Sequence, residues 1–288
     1  MFNIQAAVAA AAAQSPDMNE AVKGGGGERQ LPVEGLARLR LVSYIELGIH
    51  NDGPPGKEKD KELVYLCWEL SGPKYPPIEM EDGKKIPLTI SQTLPLSLNE
   101  KANFYKLFKR LNHDGAATHF SQFLFSENGF LGTVVHNSSG EGNEKRTYAN
   151  LHGAEGSTIK PPYIVTVDED TGEEGQKLIK ALPALSAPKC FLWNFATKEM
   201  WDSLFIDGTW DDQKDASGKV IKKGASKNWM QARIKEAKNF AGSPMAELLF
   251  AGGEPELPEA EKPARTEAAK EAVKDAKAGA AADPLAGV

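Results

Sequence analysis

Aromatic rings and long cationic side chains recur together along this chain. Arg38 and Arg40 stand two residues apart, with Tyr44 just downstream. Tyr65 and Trp68 share the next apolar run, Lys84 and Lys85 precede the third, and Lys145, Arg146 and Tyr148 cluster in the fifth. A ring offers a π-face to any nucleobase, and a guanidinium or ammonium group neutralises a phosphate. Together they are the chemistry of a surface that holds single-stranded nucleic acid without reading its sequence. Period-two alternation puts Arg38 and Arg40 on one face of a strand, and Arg146 and Tyr148 on one face of another. Tyr44 and Tyr148 are the best-placed stacking residues. Trp68 lies among Leu66, Cys67 and Leu70, so it suits a core as well as a site.

Other chemistries lack their residue sets. The five histidines, His50, His113, His119, His136 and His152, form no HExxH, HxH or His/Cys metal spacing. No GxSxG, Walker or GxGxxG pattern occurs, and the run Gly24–Gly27 has no GK[ST] ending. The acidic stretch 168–174 lacks the ligand spacing of a calcium loop. Cys67 and Cys190 are far apart, outside any CxxC, and read as buried thiols of a reducing compartment. The expectation is a non-catalytic binding protein without metal or cofactor.

The elements that must carry these residues follow from hydrophobic periodicity. Residues 36–49 read as a long strand, 62–70 as a second and 86–96 as a third, with Pro87 and Pro95 restricting the third to an edge. A helix follows. Ser97-Leu98-Asn99-Glu100 matches a capping box, and Phe104, Leu107, Phe108 and Leu111 form an apolar stripe. A short second helix is expected over 117–124, strands over 130–136 and 145–151, and a mobile turn over 138–143. The fold class is therefore mainly β with helices (α+β). The order of strands, with a helix between the third and fourth, is that of an OB-like five-stranded barrel. Residues 153–188 read as irregular, 190–193 as a short strand and 197–205 as a helix. A helix over 226–242, capped by Ser226 with Trp229 on its apolar side, completes a C-terminal helical elaboration, and a last helical turn spans 245–250. The domain plan is a flexible segment 1–31, a barrel 32–160, an elaboration 161–251 packed on it, and a disordered, Pro/Glu/Ala/Lys-rich tail 252–288.

Charge narrows the partners. The formal net charge is −6 over 288 residues, and residues 254–288 hold eight acids against five bases. Any nucleic-acid site must be a local basic patch rather than a uniformly positive coat. No run of eighteen apolar residues exists, and the Ala-rich start lacks the basic region of a signal peptide, so a cytoplasmic protein is expected.

Several segments carry a family resemblance. Phe130-Leu131-Gly132-Thr133-Val134-Val135-His136-Asn137, followed by Arg146-Thr147-Tyr148-Ala149-Asn150-Leu151, resembles a hairpin of single-stranded DNA-binding proteins from tailed bacteriophages. Leu70-Ser71-Gly72-Pro73-Lys74-Tyr75, Lys198-Glu199-Met200-Trp201-Asp202 and Ser226-Lys227-Asn228-Trp229 are similar to the same group. The resemblance implies an OB-fold protein that protects and organises single strands in phage replication or recombination, in the host cytoplasm. The acidic tail would meet replication or recombination proteins, although it lacks the terminal aromatic that many such tails carry. The alternatives are a phage factor that binds a host protein, or a virion assembly component.

Overall fold

The computed structural model describes residues 31–80, 82–140, 145–214 and 220–251. Residues 1–30 of the expected flexible start, the expected disordered tail and residues 141–143 of the 138–143 turn lie outside them.

The organising element is β1 (Gly35–Asp52), a single strand of 18 residues. β2 (Lys59–Ser71) runs antiparallel to it along nearly its whole length. Two register shifts, between Leu41 and Ser43 and between Glu46 and Gly48, bend β1. At the second shift Gly48 has φ +82°, and a Cβ there would lie 2.3 Å from the Trp193 ring. Glycine is required at this position for both its backbone and its missing side chain. The strand thereby curves around the indole.

A small hairpin, β3 (Ile78–Glu79) and β4 (Lys85–Ile86), leads into β5 (Thr89–Pro95), which pairs with the free side of β2. Helix α1 (Asn103–Leu111) and a 3₁₀ turn (Phe120–Phe125) follow. Then β6 (Phe130–Ser139) pairs with the first part of β1, and β7 (Arg146–Asn150) pairs with the end of β6. The sheet order is β5-β2-β1-β6-β7. Its outer strands β5 and β7 approach within 8 Å between Cα atoms, but no ladder joins them, so the antiparallel sheet is open. The fold is mixed α+β and mostly strand.

Two short hairpins come next: β8 (His152–Gly153) with β9 (Gly156–Ser157), and β10 (Tyr163–Val167) with β11 (Glu174–Leu178). β12 (Lys189–Phe191) joins β1 in parallel at Ser43–Ile45, beyond the point where β6 leaves it. The remaining α-helices and strands are α2 (Lys198–Leu204), the hairpin β13 (Gln213–Lys214) and β14 (Val220–Lys222), α3 (Trp229–Lys235) and α4 (Pro244–Ala251). The described residues from Val33 onward form one compact unit.

Strand periodicity divides the core in two. On β2, Val64, Leu66, Trp68 and Leu70 face inward with Leu39, Leu41 and Tyr44 of β1, under Phe104, Leu107 and Leu111 of α1. Leu63 belongs to the opposite face, where Ile45, Leu47, Phe191, Trp193, Trp201, Met230 and Ile234 make a second cluster. The sheet is thus lined by α1 on one side and in part by the C-terminal elements on the other.

Several local expectations change. The capping box does not form, and α1 starts at Asn103 after Ala102. Ser97 Oγ accepts the Asn99 N–H at 3.3 Å and Asn99 Oδ1 accepts the Lys101 N–H at 2.9 Å. These turns compete with helix, so the apolar stripe sets the helix start instead. Residues 117–124 give a 3₁₀ turn capped by His119 and Gln122 rather than an α-helix. The stretch 153–188, expected to be irregular, contains β10 and β11. The single helix expected over 226–242 is shorter and begins at Trp229, with Asn228 rather than Ser226 at its cap. It stops because the chain turns to β1: the Lys238 N–H donates to the Ile49 carbonyl (2.9 Å), and Asn239 Oδ1 accepts the Ile49 N–H (2.8 Å).

Candidate nucleic-acid interface

The sequence-predicted residues do not gather on one surface. Tyr44 and Trp68 are each 0% exposed and are corrected from stacking residues to core residues. The bulge before Ser43 keeps Tyr44 on the inner face. Its ring packs on Phe120 at 5.9 Å, and its hydroxyl donates to Glu46 at 3.1 Å. Burial, first, and the Glu46 charge hold that hydroxyl protonated well above its ordinary range. Trp68 meets Phe130 and Phe120 edge-on at 5.8 and 6.5 Å. Neither ring has a face left for a base.

Arg38 and Arg40 do share the outer face of β1, but chain partly covers them. The Arg40 guanidinium donates to the Leu182 carbonyl. Opposite Arg40 on β2, Glu69 accepts the Leu185 and Ser186 N–H groups, each at 3.1 Å. Together Arg40 and Glu69 strap segment 182–186 onto the sheet. A cavity of about 500 Å³ opens beside Arg40, bounded by Phe125, Glu127, Pro183 and Pro188. The methylenes of Arg38 lie against Gly129, where a Cβ would come within 2.8 Å. Arg40 is therefore corrected from a phosphate ligand to a structural tie.

Five predicted residues remain open to solvent. Lys84 and Lys85 are exposed at the β3–β4 hairpin, just before β5. Lys145, Arg146 and Tyr148 are exposed at the β6–β7 hairpin. Tyr148 is 46% exposed. Arg146 and Tyr148 pair across from Ser139 and Asn137, on the face opposite to the one Ala149 presents to the core. Tyr65 is half-buried on the outer face of β2 and meets Trp229 edge-on at 5.5 Å.

Beside Tyr65 lies a row of hydroxyl groups. Thr89, Ser91 and Thr93 of β5 stand opposite Glu69, Cys67 and Tyr65. Sequence reasoning missed this row, because the prolines drew attention to how far the strand extends rather than to its faces. It also placed Trp229 on a buried stripe, whereas shortening of α3 puts the ring at the first turn, 45% exposed. It gave no role to Trp210, in the polar stretch between α2 and α3. An indole in a polar loop has no core to enter, and that was the available signal.

Two further groupings resolve as structural. His119 Nδ1 lies 2.8 Å from Ser121 Oγ, and its Nε2 lies 3.9 Å from Glu46 Oε1, the residue types of an acyl-transfer triad. Nδ1 also accepts the Ser121 N–H at 3.3 Å, and Glu46 accepts the Trp193 N–H at 2.6 Å. The set locks the 3₁₀ turn to β1 and to the residues after β12. The Cys67 thiol is pushed up by burial, and that of Cys190 is pushed up to about 11 by burial and then by the Glu46 charge. Both are protonated at neutral pH and poor nucleophiles. Among the described residues no three His, Cys, Asp or Glu side chains are placed to hold a metal, and no helix is long and apolar enough to cross a membrane.

Comparisons with protein families, curated proteins and solved structures gave no match to this chain.

Proposed function

We propose that the protein binds single-stranded DNA, without catalysis, along the outer side of the seam between β5 and β7 of an OB-like barrel. The strand order β5-β2-β1-β6-β7, with α1 between β5 and β6, supports the barrel reading, since β5 and β7 are the strands whose pairing would close it. One observation carries the binding reading: Arg146 and Tyr148 stand exposed on the same face of β7, while β5 comes close behind with its hydroxyl row. Bases stack on Tyr148, and Arg146, Lys145, Lys84 and Lys85 neutralise phosphates on either side of the seam. No histidine or carboxylate pair is needed, because holding a strand requires stacking and charge alone. The biological role that fits is protection of single strands in phage replication or recombination, in the host cytoplasm.

The test is fluorescence anisotropy of a labelled oligo-dT of about thirty nucleotides, roughly twice the upper site size of one OB-fold. The expected result is binding that weakens with salt, at about −0.7 per neutralised phosphate on a log–log plot, and that duplex DNA competes for poorly. No binding at low salt overturns the reading. A second reading, a protein-binding phage factor or virion component, is favoured by the β10–β11 hairpin, which exposes Ile164, Val165, Val167 and Leu178. It gains if the oligonucleotide does not bind and a protein does.

A further inference from the structure

Trp210 and Trp229 are 60% and 45% exposed, against 0%, 8% and 2% for Trp68, Trp193 and Trp201. An exposed indole forgoes a large burial gain, so two on adjoining segments need a reason. The two segments are joined by backbone. The Trp210 N–H donates to the Ala225 carbonyl (2.8 Å), the Lys227 N–H donates to the Gly208 carbonyl (2.9 Å), and Thr209 bridges Ser226. Gly224 permits this ribbon, because a Cβ there would lie 1.6 Å from the Trp210 carbonyl oxygen. The Trp210 ring is therefore mounted on a fixed ribbon rather than on a loose loop.

The Lys227 ammonium sits 5.3 Å from the centre of the Trp210 ring, as a cation on a π-face. Of the nearby carboxylates, Asp207 accepts the Gly208 N–H at 2.8 Å and Asp212 accepts the Gly224 N–H at 2.7 Å, while Asp211 is exposed. Two residues on from Lys227, the Trp229 ring meets Tyr65 at 5.5 Å, and Tyr65 stands opposite Thr93 of β5. The rings and the cation therefore continue the hydroxyl row away from β7.

We propose that Tyr65, Trp229, Lys227 and Trp210 form a second base-stacking station, which takes the nucleotides of the strand beyond those held at Tyr148. This rests on the single-strand reading above and extends it: the strand crosses β5 and ends on the ribbon of the C-terminal elaboration. Bases stack on the open indole faces and Lys227 meets the intervening phosphate.

The protein carries its own probe, since Trp210 and Trp229 are the exposed two of its five tryptophans. The full chain is titrated with oligo-dT of about eight and about thirty nucleotides, lengths near and beyond the site size of one OB-fold. Tryptophan emission and anisotropy are read together. The expected result is strong quenching by the long oligonucleotide, reduced in Trp210→Phe and Trp229→Phe. Trp229→Ala weakens long-oligonucleotide binding about five- to 150-fold, the worth of one stacked base. Lys227→Ala, which leaves every ring in place, weakens it less and lowers its salt dependence. Binding of the short oligonucleotide changes little in either variant.

Binding of the long oligonucleotide with unquenched emission and unaltered affinity in folded Trp229→Ala and Lys227→Ala overturns this station alone. No binding of either length at low salt overturns the parent reading and the station with it. A concentration-dependent emission change without DNA, abolished by Trp229→Ala, assigns the surface to a second copy of the chain and also overturns it.

Discussion

Trp68 and Tyr65 lie three residues apart on β2 and have opposite fates. Trp68 points inward, sealed among Phe120, Phe130 and the α1 side chains, while Tyr65 points outward and shares a partly open surface with Trp229. The same contrast separates Tyr44 from Tyr148, one in the core and one on the rim. Residue type is identical or nearly so within each pair. The difference comes from strand phase and from what lies over each face: α1 and the 3₁₀ turn cover the inner face, whereas the C-terminal elements cover only part of the outer one. An aromatic ring is a stacking platform only where a strand's outer phase coincides with a gap in that cover.

The comparison breaks most sharply at Trp68. Trp68→Ala should cost about 3–5 kcal/mol of stability, as a large ring leaves a closed core. Trp229→Ala should stay within about 1 kcal/mol, because a half-exposed ring loses little burial. Urea denaturation of both variants checks this, and similar midpoints would refute the division into inner and outer rings.

Gly48→Ala probes the bend that lets the second cluster form. The left-handed backbone alone should cost about 1–3 kcal/mol, and the Trp193 ring stands in the way of the new methyl group. Equilibrium unfolding with emission from the buried tryptophans reads the loss. Unchanged stability would mean that β1 does not depend on this bend.

The exposed and covered cations separate next. Tyr148→Ala should weaken oligo-dT binding by about 1–3 kcal/mol, with stability unchanged to about 0.5 kcal/mol. Arg146→Ala should flatten the salt slope by about 0.7. Arg40→Ala should instead lower stability and leave that slope alone, since its guanidinium holds Leu182. A slope change in Arg40→Ala would return it to the binding surface.

Much of the scaffold was legible because period-two alternation over a long run leaves few choices. β1, β2, β6 and β7 appear within a few residues of their expected bounds, and α1 follows its apolar stripe. Tyr44 was misplaced, and Trp68 was left between core and site, because alternation gives two faces but not which one is covered, and a bulge resets the phase without a clear mark in sequence. Arg40 was misread because its partner, the carbonyl of Leu182, is 142 residues away. The end of α3 was missed for the same kind of reason: the Asn239 side chain and the Lys238 backbone leave the helix to pair with Ile49. Long-range backbone contacts overrode local propensity there.

The smallest effect tests whether the thiol of Cys190, between the two clusters, is as sealed as the inner rings. Its value is raised from the ordinary 9.0 to about 11. The folded protein therefore holds the proton more tightly than the unfolded chain does. Its contribution is fully present below pH 9, where both states are protonated, and is lost as pH rises towards 11. Wild type should lose stability across that window more steeply than Cys190→Ala, as read from urea midpoints at matched pH. The difference should be modest, because the thiol is only half-buried and solvent screens it. Parallel pH profiles would mean that the thiol titrates as freely in the fold as in the open chain. The β1–β12 junction would then be wetter than the inner core, and Cys190 would belong with the rim.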